Sequence, residues 1–138
     1  AARSGALGVS YSRYADDLCF STNTPNVLAG VFHELNEDIA ARRSPRLVLN
    51  EKKTVFTSRK RLRRIVGLVL TSTRNLSIGR SKKRNLKSQV FRFNSGKLSI
   101  EDVDHLRGML SFVRSVEPSF IDALGAKFGP ETMNKLGL

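Results

Sequence analysis

The chain has 138 residues and 15.4 kDa, with 24 Lys and Arg against 12 Asp and Glu, a formal charge of +12. With 40% apolar residues it can build a core, which excludes wholesale disorder, and the charge excess calls for an anionic partner, nucleic acid ahead of a membrane surface. One cysteine, Cys19, and two histidines, His33 and His105, exclude a disulfide framework and a structural zinc site. No run reaches the ~18 apolar residues of a membrane span, so a soluble cytoplasmic protein with no membrane partner is expected.

Ala1 to Leu7 carries no start methionine and leads directly into a strand pattern, so the sequence reads as a C-terminal piece of a longer chain. Gly8 to Tyr14 and Leu18 to Thr22 alternate and are rich in β-formers, and the polar turn Ala15-Asp16-Asp17 between them predicts a hairpin with two acids at its tip. From Asn26 the apolar residues Leu28, Val31, Phe32, Leu35 and Ile39 recur at helical spacing, ending near Arg42-Arg43, where cations suit the helix dipole. Strands are expected at Leu47–Leu49, Thr54–Thr57, Arg64–Thr71 and Leu76–Ile78. After Gly79 the pattern turns helical. Leu86, Val90, Phe91 and Phe93 fit a basic helix from Ser81, with both phenylalanines expected in the core rather than as base-stacking platforms. Ser99 with Asp102 three residues later predicts a capped helix carrying Val103, Leu106, Met109, Leu110 and Val113, and Glu117-Pro118 starts another with Phe120, Ile121, Leu124 and Phe128. The fold class is therefore α+β to about residue 80, followed by an all-helical part.

Between Arg42 and Lys97 lie 18 of the 24 basic residues and a single acid, Glu51, while both flanks carry more acids than bases. Because apolar strand residues interleave with the charges, this block predicts a folded phosphate-binding surface rather than a loose arm.

Adjacent carboxylates on a tight turn repel one another, and a divalent cation removes the conflict. Mg²⁺ takes oxygen ligands, often one or two carboxylates plus substrate phosphates, so Asp16 and Asp17 beside a basic surface suggest nucleotidyl transfer. The plainer alternative is a solvated hairpin turn, where Asp is common.

The segment from Tyr11 to Ser21, with Tyr14-Ala15-Asp16-Asp17 at its centre, resembles the Tyr-Ala-Asp-Asp signature of reverse transcriptases, most of all the bacterial retron version. Leu49-Asn50-Glu51-Lys52-Lys53-Thr54 resembles the family's lysine-bearing loop after the palm helix, and Ile65-Val66-Gly67-Leu68-Val69 its primer-gripping hairpin. Gly96 through Val113 is similar to the retron thumb helices. Many retron enzymes have Val-Thr-Gly where this chain has Ile65-Val66-Gly67, so the threonine hydroxyl is lacking.

The resemblance implies a partial polymerase palm over residues 1–80, antiparallel strands with a packed helix, and a helical thumb over residues 81–138. It implies that Asp16 is the main Mg²⁺ ligand and Asp17 a weaker one, and that Tyr14 lies against the primer terminus near the incoming deoxynucleoside triphosphate. Lys53, with Lys52 as competitor, would assist the departing pyrophosphate, and Gly67 would let the primer backbone approach closely. Cross-strand packing remains open for Tyr14 and a bulge for Gly67. Arg59, Lys60, Arg61, Arg63, Arg64, Arg80, Lys82, Lys83, Arg84 and Lys87 would hold a structured RNA template and its RNA–DNA duplex. A further metal-binding aspartate and the fingers belong to an N-terminal polymerase half, so the chain alone is expected to be inactive. A retron effector protein is an additional expected partner. A non-catalytic RNA-binding module, a group II intron maturase and another defence-associated reverse transcriptase are the competing readings.

Overall fold

The computed structural model describes residues 8–138 and divides the chain into two compact units, the first ending at Thr57 and the second running from Ser58 to Leu138. Expectations about Ala1 to Leu7 lie outside the described residues. The fold is mixed, with five helices and two small antiparallel sheets among the described residues.

In the first unit, β1 (Val9–Tyr14) and β2 (Asp17–Thr22) pair antiparallel with Val9 opposite Thr22 and Tyr14 opposite Asp17. The loop is thus two residues, Ala15-Asp16, and Asp17 belongs to β2 rather than to the turn. Tyr11 faces Phe20 across the ladder with ring centroids 5.2 Å apart, an aromatic cross-strand pair that fixes this register. Helix α1 (Val27–Ala41) follows where the apolar spacing predicts it and packs on β2. Its apolar residues Leu28, Val31, Phe32, Leu35 and Ile39 are half-buried, and none of the helix is fully buried.

The strands expected at Leu47–Leu49 and Thr54–Thr57 do not form. A strand needs a ladder partner for its backbone groups, and among the described residues no edge pairs with either segment. Local bonds serve instead. A 3₁₀ turn, Glu51–Lys53, separates the two segments, and Asn50 carbonyl accepts from the Lys53 and Thr54 amides at 3.0 and 3.1 Å. Phe56 meets Phe32 of α1 edge to face, with centroids 5.5 Å apart, while Val48 is 84% exposed.

In the second unit the expected strand Arg64–Thr71 is a hairpin. Strands β3 (Arg63–Ile65) and β4 (Leu68–Leu70) are joined by Val66-Gly67, and β5 (Leu76–Ser77) adds to β4, giving the order β3-β4-β5. Both loop residues have positive φ, 47° and 77°, as a type I′ turn requires. Glycine accepts that backbone freely, whereas a β-branched valine does so only under strain.

The helices follow as α2 (Arg80–Asn94), α3 (Ile100–Val116), α4 (Pro118–Phe128) and α5 (Pro130–Lys135). Proline at the first helical position lacks only an N–H that would be unpaired anyway, which suits the starts of α4 and α5. The short α5 was not legible from periodicity, since six residues hold too few turns to show it; Gly129 at φ 84° makes the corner before it. One core joins these elements: Ile78, Leu86, Val90, Leu106, Leu110, Val113, Phe120, Ile121, Leu124, Met133 and Leu136 are buried together.

Ser99 caps α3 as predicted, its Oγ accepting from the Asp102 amide at 3.2 Å and donating to Asp102 Oδ2 at 2.7 Å. Replacing Ser99 by Ala should cost about 1 kcal/mol. A shift of the urea unfolding midpoint measures it, and an unchanged midpoint would show that the cap carries no stability.

Candidate active site and basic surface

The carboxylates Asp16 and Asp17 stand at the hairpin apex because the register puts a two-residue loop there, and both are exposed. Ala15 has φ 51° while Asp16 does not share the positive sign, the pattern of a type II′ turn, with its strain at alanine. Arg13 Nε donates to the Ala15 carbonyl at 2.8 Å and braces the loop. Side chains alternate along a strand, so directly opposed residues share a face. Tyr14, 65% exposed, therefore shares a sheet face with Asp17.

Hard carboxylate oxygens without a competing cation suit Mg²⁺, which binds to proteins through one or two carboxylates and completes its shell with water and substrate oxygens. Among the described residues no third His, Cys, Asp or Glu joins the pair. The two aspartates therefore fit as a partial ligand set. Lys53 is exposed on the 3₁₀ turn Glu51–Lys53, in the same unit as the hairpin, and Lys52 is exposed beside it.

The ten basic residues expected to hold nucleic acid, all in the second unit, separate into two groups. Arg59, Lys60 and Arg61 are exposed on the turn before β3, Arg64 is exposed on β3, and Arg80, Arg84 and Lys87 are exposed on α2. Three others make internal contacts. Arg63 donates from Nη2 to the Thr71 carbonyl at 2.7 Å and is half-buried, bracing its own sheet. Lys82 Nζ donates to the Gly67 carbonyl at 3.3 Å, which ties α2 to the β3–β4 turn. Lys83 forms an ion pair with Glu117.

Glu117, at the junction of α3 and α4, is the residue that sequence reasoning overlooked. Its side chain is only 15% exposed. Oε2 accepts from Ser77 Oγ at 2.9 Å and from the Ile78 amide at 3.2 Å, and Oε1 accepts from Lys83. Burial alone would push this carboxyl up; the hydrogen bonds from Lys83, Ser77 and Ile78, with the Lys83 charge, outweigh it and hold the group below its ordinary range. The only hint in the sequence is a lone acid before Pro118 in an otherwise apolar junction.

Helix α2 corrects the expectation for Phe91. Leu86 and Val90 are buried and Phe93 packs against the core, but Phe91 is 61% exposed. One residue past Val90 is a turn of about 100° around the helix, which carries Phe91 off the core face.

No family model matches the chain. Over 128 residues, 93% of its length, the chain is 41% identical to the retron Ec83 reverse transcriptase of Escherichia coli. The chain is a relative of retron reverse transcriptases. It is also 33% identical to the retron Ec86 reverse transcriptase of Escherichia coli over 138 residues, and 29% identical to the retron Mx65 reverse transcriptase of Myxococcus xanthus over 129 residues. These matches take in 95% and 89% of the chain. The chain spans 41% of the length of each of the two Escherichia coli retron enzymes and 28% of the Myxococcus one. Among the described residues no helix is long and apolar enough to cross a membrane.

Proposed function

We propose that this chain is the C-terminal palm and thumb portion of a retron-type RNA-directed DNA polymerase, working with the N-terminal portion that its longer relatives possess. The observation that carries the reading is the exposed Asp16-Asp17 pair at the hairpin apex, Asp16 in the two-residue loop and Asp17 at the start of β2, in a chain 41% identical over 128 residues to a retron reverse transcriptase. The reaction joins the 3′ oxygen of a primer to the α-phosphorus of a deoxynucleoside triphosphate, and the bond to pyrophosphate breaks. Mg²⁺, held by Asp16 with Asp17, would neutralise charge developing on the attacking and leaving oxygens. Tyr14 packs its exposed ring against the sugar or base of the primer terminus. Lys53 neutralises or protonates the departing pyrophosphate. The Val66-Gly67 turn contacts the primer backbone where no Gly67 side chain intervenes, and Lys82 braces that turn. Arg59, Lys60, Arg61, Arg64, Arg80, Arg84 and Lys87 hold the phosphates of an RNA–DNA duplex, which is recognised by shape and backbone rather than by base edges.

The test is primer extension on an RNA template with Mg²⁺ and deoxynucleoside triphosphates. A polypeptide in which this chain follows an N-terminal retron polymerase portion should synthesise DNA, while the 138-residue chain alone should not. A folded, RNA-binding fusion that makes no DNA would overturn the catalytic reading and leave the RNA-binding module in its place.

A further inference from the structure

The outer face of α2 carries, among the cations proposed to hold phosphates, one residue that the polymerase reading does not use, the exposed Phe91. Arg80, Arg84, Lys87 and Phe91 fall within about 60° of arc and span roughly 16 Å along the helix axis. The helix has six basic residues and no acid. Arg80 and Arg84 have no ion-pair partner among the described residues, and the Lys87 ammonium lies 5.8 Å from the Phe120 ring centroid. At the end of this cationic stripe stands the exposed Phe91 ring, on the side of the helix away from Leu86 and Val90.

An exposed aromatic ring in line with two guanidinium groups that have no ion-pair partner among the described residues, Arg80 and Arg84, fits a ligand that is both anionic and flat. A protein partner for the same face would need acids around an apolar centre, and the interior of a duplex offers no free base face to a ring, because each face is covered by its stacked neighbour and extruding a base costs a few kcal/mol. An unpaired nucleotide satisfies every element: its base stacks on the ring, and the neighbouring phosphates meet the guanidinium groups. We infer that Phe91 is a stacking platform for one unpaired RNA base, with Arg84 and Arg80 binding the phosphates next to it, so that α2 selects RNA carrying an unpaired nucleotide beside a stem. This rests on the proposed RNA-holding role of the second unit and assigns the residue that makes it selective.

The test uses the full chain and two synthetic RNAs of equal stem: a hairpin with 2-aminopurine in its loop, and a blunt duplex. Wild-type chain should bind the hairpin about tenfold more tightly and quench the 2-aminopurine emission. Phe91→Ala should lose the quenching and reduce hairpin affinity to that for the duplex, with duplex affinity unchanged; Phe91→Tyr should retain both properties. Arg84→Gln should weaken both RNAs. If wild type binds RNA but Phe91→Ala binds the hairpin as tightly, the stacking assignment is wrong while RNA binding stands. If Phe91→Ala changes only the elution volume of the chain, the ring contacts a second copy and the assignment is likewise overturned. Failure of wild type to bind either RNA would overturn both the assignment and the RNA-holding role.

Discussion

Replacing Asp16 by Asn in the assembled polymerase should lower RNA-templated DNA synthesis by at least about 100-fold and leave RNA affinity within about twofold of wild type. The size follows from what the substitution removes. Asparagine keeps the volume, but its neutral amide is a weaker ligand for the Mg²⁺ that would offset the negative charge building on the attacking oxygen. The affinity term is separate because the cations proposed to bind phosphate lie in the second unit, on the turn before β3, on β3 and on α2, whereas Asp16 lies on the first-unit hairpin. Asp17→Asn should show a smaller loss, since the resemblance to reverse transcriptases implies that Asp17 is the weaker ligand of the pair. Single-turnover primer extension on a labelled RNA template, with filter binding alongside, reads both quantities. Unchanged synthesis by the Asp16→Asn enzyme would refute the catalytic assignment.

The second large effect concerns Glu117. Glu117→Ala removes the acceptor for Ser77 Oγ and the Ile78 amide and the counterion of Lys83. A fully buried pair broken on one side costs about 3–5 kcal/mol. The Lys83 side chain is 31% exposed and can turn toward water, so a loss of about 2–3 kcal/mol is expected here. With a denaturant slope of about 1–3 kcal/mol per molar urea, the midpoint of the second unit should fall by roughly 0.7–3 M at pH 7.

The pH dependence follows from the same contacts. The Glu117 carboxyl is held below its ordinary value near 4.5, so the folded state prefers the ionised form more strongly than the unfolded state does. Its contribution is complete above that ordinary value and is lost as the pH falls through the lowered one. The gap between wild type and Glu117→Ala should therefore be wide at neutral pH and narrow below about pH 4.5. A gap that stays constant across that window would show that the charge is not what stabilises the junction.

Much of this protein is local in origin and can be read from residue order. The β1–β2 hairpin, α1, α2, the Ser99 cap and the proline-started α4 follow from alternation, helical spacing and end signals, because each is decided by interactions a few residues apart. The Asp16-Asp17 apex is legible for the same reason: a hairpin loop is defined by its own neighbours. Tertiary structure alone decided the rest. Leu47–Leu49 and Thr54–Thr57 have strand-like composition but no edge to pair with among the described residues, and a strand is a property of two segments. At Val66-Gly67 the strand-like composition of Arg64–Thr71 reads as one strand, while the resemblance implies the hairpin that forms there. Lys83, counted by its charge as a ligand for phosphate, meets Glu117 34 residues away, and Phe91 lies outside the core although its neighbour Val90 lies within it. Charge and hydrophobicity belong to a residue, but the partner that uses them is fixed only when distant parts of the chain are brought to the same place.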